Sequence, residues 1–241
     1  MWMICTKEWR QFFSSPTGYI ALIVFLLING LLLFVFPDTS LLNFGYTSLE
    51  GFFSLAPWVF LFLVPTITMR SLADEYKSGT FELLKTMPLT PGQIVWGKFF
   101  GALLIIALAL APTLLYAVTL QQLSATGGLD TGSTAGSYAG LLLLGAVFTA
   151  VGICASSFTA NTVVAFLGGA FTCFLLFTGF DAISKLPVFS GGMAYYAEMP
   201  GIKFHYTSIS KGVIDIRDMV YFIGVTCIFL LITRRNIARH R

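Results

Sequence analysis

Long uncharged runs alternate with short charged ones along this chain, and the runs set its length scale. Apolar stretches occupy approximately 17–36, 52–69, 94–118, 138–156, 163–180 and 219–233. A run of about 18 apolar residues is long enough to cross the ~30 Å hydrocarbon core of a bilayer as an α-helix. No stretch shows the ~10-residue alternation of a membrane β-barrel. The pattern predicts an all-α integral membrane protein with six transmembrane helices in one domain over residues 1–241. The last run is short: 15 residues rise only about 22 Å, so it must extend at its ends or thin the bilayer. The second contains Pro57 and Pro65, which should kink it, with neighbouring helices re-satisfying the freed carbonyls.

Local signals place the boundaries. Ser15-Pro16 reads as a helix start, serine capping and proline at the first helical position. Thr90-Pro91-Gly92-Gln93 reads as a second start, with Gln93 completing a capping box. Residues 1–14 mix charges with Trp2, Trp9, Phe12 and Phe13, the composition of an amphipathic helix at the membrane surface. Residues 119–137 are rich in Gly, Ser and Thr and read as a loop. Gly128, Gly132, Gly136 and Gly140 recur at every fourth position there, a spacing that also marks close helix contact; the turn reading is preferred. From Thr131 to Phe180 there is no charge. That length holds two spans, and Ser156 to Thr162 is the expected break.

Composition narrows the class. Hydrophobic residues make up 56% of the chain and charged residues 10%, against about 25% charged in soluble domains. A net charge of +3 is too weak for a nucleic-acid partner, and the basic residues serve better as topology signals. Six spans put both termini on one side. That side would hold Lys7, Arg10, Arg70, Lys77, Lys85, Lys98, Arg234, Arg235, Arg239 and Arg241, leaving Lys185, Lys203, Lys211 and Arg217 opposite. The positive-inside rule makes it the cytoplasm. The turn between the fourth and fifth spans carries no charge, so parity alone sets its side. The first run exceeds the about 7–15 residues of a signal-peptide core and is expected to remain as a span. Cys5, Cys154, Cys173 and Cys227 lack metal-ligand spacing and read as small buried hydrophobes.

Chemistry is sparse. Gly92 to Lys98 matches G-x-x-x-x-G-K, but Phe99 follows where a nucleotide loop needs Ser or Thr, and no strand precedes it. Lys98 would instead snorkel to the headgroups. No charge lies deep in any span, whereas ion-coupled transporters carry charges there. Asn29 is the main polar group at depth, and helix packing is its expected role. His205 and His240 fall outside the spans. The chain therefore reads as no enzyme, with no cofactor or metal of its own; energy for any active transport must come from another subunit.

Charge concentrates instead in Ala73 to Thr90, with Asp74, Glu75, Lys77, Glu82 and Lys85. Leu72, Tyr76, Leu83, Leu84 and Met87 fall near one helical face. Gly79 splits the segment, and Pro88 should stop its second half. Such a helix either rests on headgroups or docks a soluble partner. Glu75-Tyr76-Lys77-Ser78-Gly79-Thr80-Phe81-Glu82-Leu83-Leu84, then Met87-Pro88-Leu89-Thr90 and Gly97-Lys98, resembles the E-x-x-x-G-T-x-E-x-L signature of ABC-2-type transporter permeases. Lys7-Glu8 before Ser15-Pro16, and Phe204 to Asp218, are similar to that family's N-terminal and pre-final segments. Three stretches, 61–71, 136–141 and 155–161, are closest to the gliding-motility-associated permease of Bacteroidetes.

The resemblance implies an inner-membrane exporter subunit paired with a second permease copy or a related membrane subunit. ATP and Mg²⁺ would bind a separate cytoplasmic ABC ATPase. Thr80 to Met87 would be the coupling helix, with Glu75, Glu82 and Lys85 as polar contacts, Phe81 and Leu84 as an apolar tip, Gly79 allowing the change of direction and Pro88 ending the helix. Tyr195, Tyr196, Phe204, His205 and Tyr206 would lie on short outer-leaflet helices before the last span. A membrane scaffold for a larger envelope machine, recruiting a partner through the same loop, is the alternative.

Overall fold

The computed structural model describes residues 2–35, 49–123, 130–186, 192–213 and 215–239. Among these every regular element is helical. Helix α1 (Trp2–Phe13) precedes α2 (Pro16–Phe34), α3 (Glu50–Thr68), α4 (Arg70–Ser78) and α5 (Thr80–Thr86). Next come α6 (Pro91–Leu110), a tight turn at Ala111–Thr113 and α7 (Leu114–Leu123). Then follow α8 (Thr131–Ser156), α9 (Thr162–Phe174), a wide π-turn at Leu175–Gly179 and α10 (Phe180–Ser184). Helices α11 (Gly192–Glu198), α12 (Ile202–Ile209) and α13 (Ile216–Arg239) complete the chain. Among the described residues six helical stretches are long and apolar enough to cross a membrane: Pro16–Phe34, Glu50–Ser78, Pro91–Gln122, Thr131–Ser156, Thr162–Ser184 and Ile216–Arg239.

The boundaries follow local chemistry. Thr90 forms the expected capping box: its hydroxyl accepts from the Gln93 amide at 3.3 Å, and its own amide donates to Gln93 Oε1 at 3.0 Å. Ser15 occupies the cap position of α2 without capping; its hydroxyl instead accepts from Arg70 Nη1 at 3.0 Å. The break between α8 and α9 falls where expected, and Asn161 caps α9 by accepting from the Val163 amide at 3.0 Å. The last span does extend at both ends, to 24 residues.

Residues 119–123, expected to be loop, continue α7, and the fourth span corrects the reading of residues 131–137 as loop. They are helical, because Asp130 accepts from the amides of Gly132 and Ser133 and because their small side chains seat against the chain after α12. Ser133 donates to the Lys211 carbonyl at 3.1 Å and Ser137 to the Ser210 carbonyl at 2.9 Å. A Cβ at Gly136 would meet the Gly212 backbone at 3.1 Å, and one at Gly140 would meet Ile209 at 2.5 Å. At Gly136 and Gly140 the glycine spacing marks close packing, not a turn, while Gly132 meets only the Asp130 cap of its own helix; Gly128 lies outside the described residues. Helix α8 thereby becomes the central element, packed by α3, α6, α9 and α13. Further along it, Gly152 faces Thr68 so closely that a side chain there would collide with the threonine hydroxyl. Small residues at helix contacts let backbones approach where lipid supplies no hydrophobic drive.

Two side-chain hydroxyls repair the second span. Pro57 has no amide proton to give the Phe53 carbonyl, and that carbonyl accepts from the Tyr206 hydroxyl of α12 at 2.7 Å. Between α3 and α4 the helix is interrupted at Met69 by an inserted side chain. The Ser156 hydroxyl donates to the Met69 carbonyl and accepts from the amides of Leu72 and Ala73, each at 3.0 Å. Tyr206→Phe removes only the bond to Phe53 and leaves a buried carbonyl unpaired, an expected loss of about 1–3 kcal/mol. A lower thermal midpoint of the detergent-solubilised protein checks it; an unchanged midpoint would show that this bond does not hold α12 to α3.

Candidate coupling segment and outer helices

Helix α4 continues the line of α3 past the end of the apolar run, and one glycine ends it. Gly79 has φ 72° and ψ 0°, the left-handed conformation that glycine adopts without steric penalty. No atom lies within 4 Å of where its Cβ would be, so the backbone angle, not crowding, calls for glycine. The chain then turns into α5.

The two helices present different faces. On α4, Ser71, Leu72, Ala73 and Glu75 are buried. On α5, Phe81 is only 4% exposed, whereas Leu83 is 65% exposed and Met87 beyond it 51%. The Phe81 ring packs edge-on against Tyr76 at 4.7 Å, in a cluster with Leu72, Ile94, Val95 and Phe99. Phe81 thus anchors α5 to the bundle and does not stand at its tip. Thr80, Glu82 and Pro88 are exposed. The side chains of Leu84 and Lys85 lie outside the described residues.

Glu75 is turned inward. Its Oε1 lies 2.6 Å from Lys7 Nζ of α1 and 2.9 Å from Lys98 Nζ of α6. Lys98 Nζ also lies 2.7 Å from Glu8 Oε1 and donates to the Ser71 carbonyl at 2.6 Å. The lysine is 1% exposed, so it does not snorkel as expected. The G-x-x-x-x-G-K stretch is therefore the first turns of a helix whose lysine is engaged by two carboxylates. Sequence reasoning missed the cluster because Lys98 and Glu8 are 90 residues apart.

The same end collects the termini of other helices. Asn236 near the end of α13 donates to the Ser157 carbonyl at 2.6 Å. The uncharged turn after α8 consequently lies on the side of α4 and of the C-terminal end of α13. The hydrogen bond places this turn, where charge gives no signal, beside those helix ends.

At the opposite end the five aromatic candidates separate. Tyr195 and Tyr196 on α11 are 55% and 73% exposed, while His205 and Tyr206 on α12 are buried. Phe204 is half-buried and packs edge-on to Tyr195 at 5.5 Å. His205 stacks on Tyr221 at 4.0 Å. Its Nδ1 lies 2.7 Å from Asp218 Oδ1 and its Nε2 3.0 Å from the Met199 carbonyl. This imidazole ties α12 to the first turn of α13.

Six apolar helices, a central helix lined by small residues and a structured charged segment at one end define a multi-pass helical membrane protein. The family model of the ABC-2 family transporter proteins matches residues 50–233, from the first residue of α3 into α13. The chain belongs to that family, and with it is a membrane transport subunit. No curated protein matches it. The matched region contains Glu75 and Lys98; Lys7 and Glu8, which complete the ion cluster, precede it.

Removing one member of a buried ion cluster strands the others, a loss of about 3–5 kcal/mol. Lys98→Met is expected to lower the thermal midpoint steeply, and Lys77→Met on the exposed face to leave it in place. Adding Glu75→Gln to Lys98→Met leaves Lys7 and Glu8 as balanced charges and should recover part of the loss. A double variant no better than the sum of its parts would show that the two residues are not coupled.

Proposed function

We propose that this chain is the permease subunit of an ATP-driven exporter, energised through α4 and α5 by a separate cytoplasmic ABC ATPase. It resides in the inner membrane with both termini in the cytoplasm. A second copy, or a related membrane subunit, completes the path. ATP and Mg²⁺ belong to the ATPase, and the system is a gliding-motility-associated one. Family membership supports transport, and the resemblance of residues 61–71, 136–141 and 155–161 supports the subtype.

One observation carries the coupling reading. Helix α5 has an outward face and a fixed root: Leu83 and Met87 are exposed, and Phe81 is locked among α4 and α6. An exposed apolar pair beside Glu82 suits a groove on a soluble partner, apolar contact giving affinity and charge giving orientation. Glu82, Leu84 and Lys85, with Thr80 and Pro88 at the helix ends, would meet the ATPase. Glu75 acts through α4: its carboxylate is spent on Lys7 and Lys98, so it braces the helix that transmits the motion. Closure of the ATPase dimer on ATP would then push α5 and, through it, α3 and α6, and so re-gate the path.

Glu82→Ala combined with Leu84→Ala should reduce recovery of the ATPase in pull-downs from native membranes by tenfold or more, on the order of 1.4 kcal/mol. The thermal midpoint of the permease should stay in place. Unchanged recovery and unchanged ATP turnover would remove the docking role. A membrane protein that brings down envelope components and no ATPase would instead be a scaffold.

A further inference from the structure

A groove of about 590 Å³ runs between α2 and α3. Its walls are apolar: Ile20, Val24 and Ile28 on one side, Trp58 and Phe62 on the other, with Thr66 at one end. Much of it faces outward, Ile20 being 58% and Phe62 63% exposed. The stretch from Thr17 to Ile28 that lines it rises roughly 16 Å at about 1.5 Å per residue. That is one leaflet of a ~30 Å core. A second copy of the chain would lay a helix along the whole of α2, whereas the groove's lining stops at Ile28, short of the end of α2 at Phe34.

Its end nearest α4 changes character. At Thr17 and Thr66 the groove meets a smaller niche of about 80 Å³, framed by Gln11, Ser15 and Arg70. Glu8 borders the niche too, with its carboxylate engaged by Lys98 at 2.7 Å. Arg70 bonds Ser15, reaches Asp74 only at 4.0 Å and keeps 40% of its side chain exposed. A guanidinium offers five N–H donors in a fork that matches phosphate. An apolar slot one leaflet long, opening at its membrane-surface end on an arginine, a serine and a glutamine, has the shape and polarity of one kind of molecule.

We propose that this composite site binds an anionic glycerophospholipid. One acyl chain lies along α2 and α3, and the headgroup phosphate sits at Arg70 with Ser15 and Gln11 beside it. The leaflet is the one on the side of α1 and α4. Only its name, cytoplasmic, rests on the topology proposed above; the site itself does not depend on ATPase coupling.

The test uses Trp58 as the reporter. The full chain carries four tryptophans, so Trp2→Phe, Trp9→Phe and Trp96→Phe leave one in the groove wall. The protein is reconstituted in phosphatidylcholine vesicles containing either brominated phosphatidylglycerol or brominated phosphatidylcholine. Brominated phosphatidylglycerol should quench Trp58 at about fivefold lower mole fraction, the preference one basic residue supplies near the membrane surface. Arg70→Gln should erase the preference and leave quenching by phosphatidylcholine intact. Asp74→Asn, which removes the carboxylate beside Arg70, should increase it, and decides the matter if Arg70→Gln does not reconstitute. Equal quenching by the two lipids, a preference that survives Arg70→Gln, or one that Asp74→Asn does not raise would each overturn the proposal.

Discussion

An ammonium group with 1% of its residue exposed is tolerable only where carboxylates and carbonyls replace the water it has lost. Lys98 finds them on two other helices: Glu8 of α1, and Glu75 and the Ser71 carbonyl of α4. Lys7 then balances the second carboxylate. The cluster fixes a surface helix, the end of the second span and the start of the third in one arrangement. It also relieves α5 of any need to supply charge inward. Glu82 and the exposed apolar residues of α5 stay at the surface because the burial of α4 is satisfied from within the chain.

Packing at the centre obeys a different constraint. Lipid is as apolar as a leucine side chain, so helices in it gain little from burying grease and much from close approach. Helix α8 has glycine where α3 and α12 come nearest, at Gly152 and Gly140. Polar groups at depth serve the same end by completing backbone hydrogen bonds that proline or an inserted hydroxyl has opened. Tyr206 completes the Phe53 carbonyl, and Ser156 completes the Met69 carbonyl and the amides of Leu72 and Ala73. The spans can therefore be interrupted without leaving those groups bare to hydrocarbon.

What the sequence made legible was local or periodic. Six spans could be read because length and hydropathy are properties of a run. The Thr90–Gln93 box and the Ser156–Thr162 break could be read because both partners sit within a few residues. The helix over 131–137 was hidden because Gly, Ser and Thr mean a turn in water and an interface in a membrane, and composition does not say which medium applies. The inward face of Phe81 was hidden because seven residues of amphipathic helix do not reveal which face is down. The ion cluster and the Tyr206–Phe53 bond join residues 90 and 153 positions apart, beyond the reach of any spacing rule. The charged segment was legible from its clustered charges, while the arrangement within it, Glu75 and Phe81 inside and Glu82 outside, needed coordinates.

The hydroxyl of Ser156 has a mechanical corollary. It joins the end of α8 to the α3–α4 junction through three backbone groups, the Met69 carbonyl and the amides of Leu72 and Ala73. A displacement of α4 against the end of α8 therefore has to break these three bonds or carry Ser156 along. Beyond these bonds the next change of direction comes at Gly79, whose left-handed backbone separates α4 from α5.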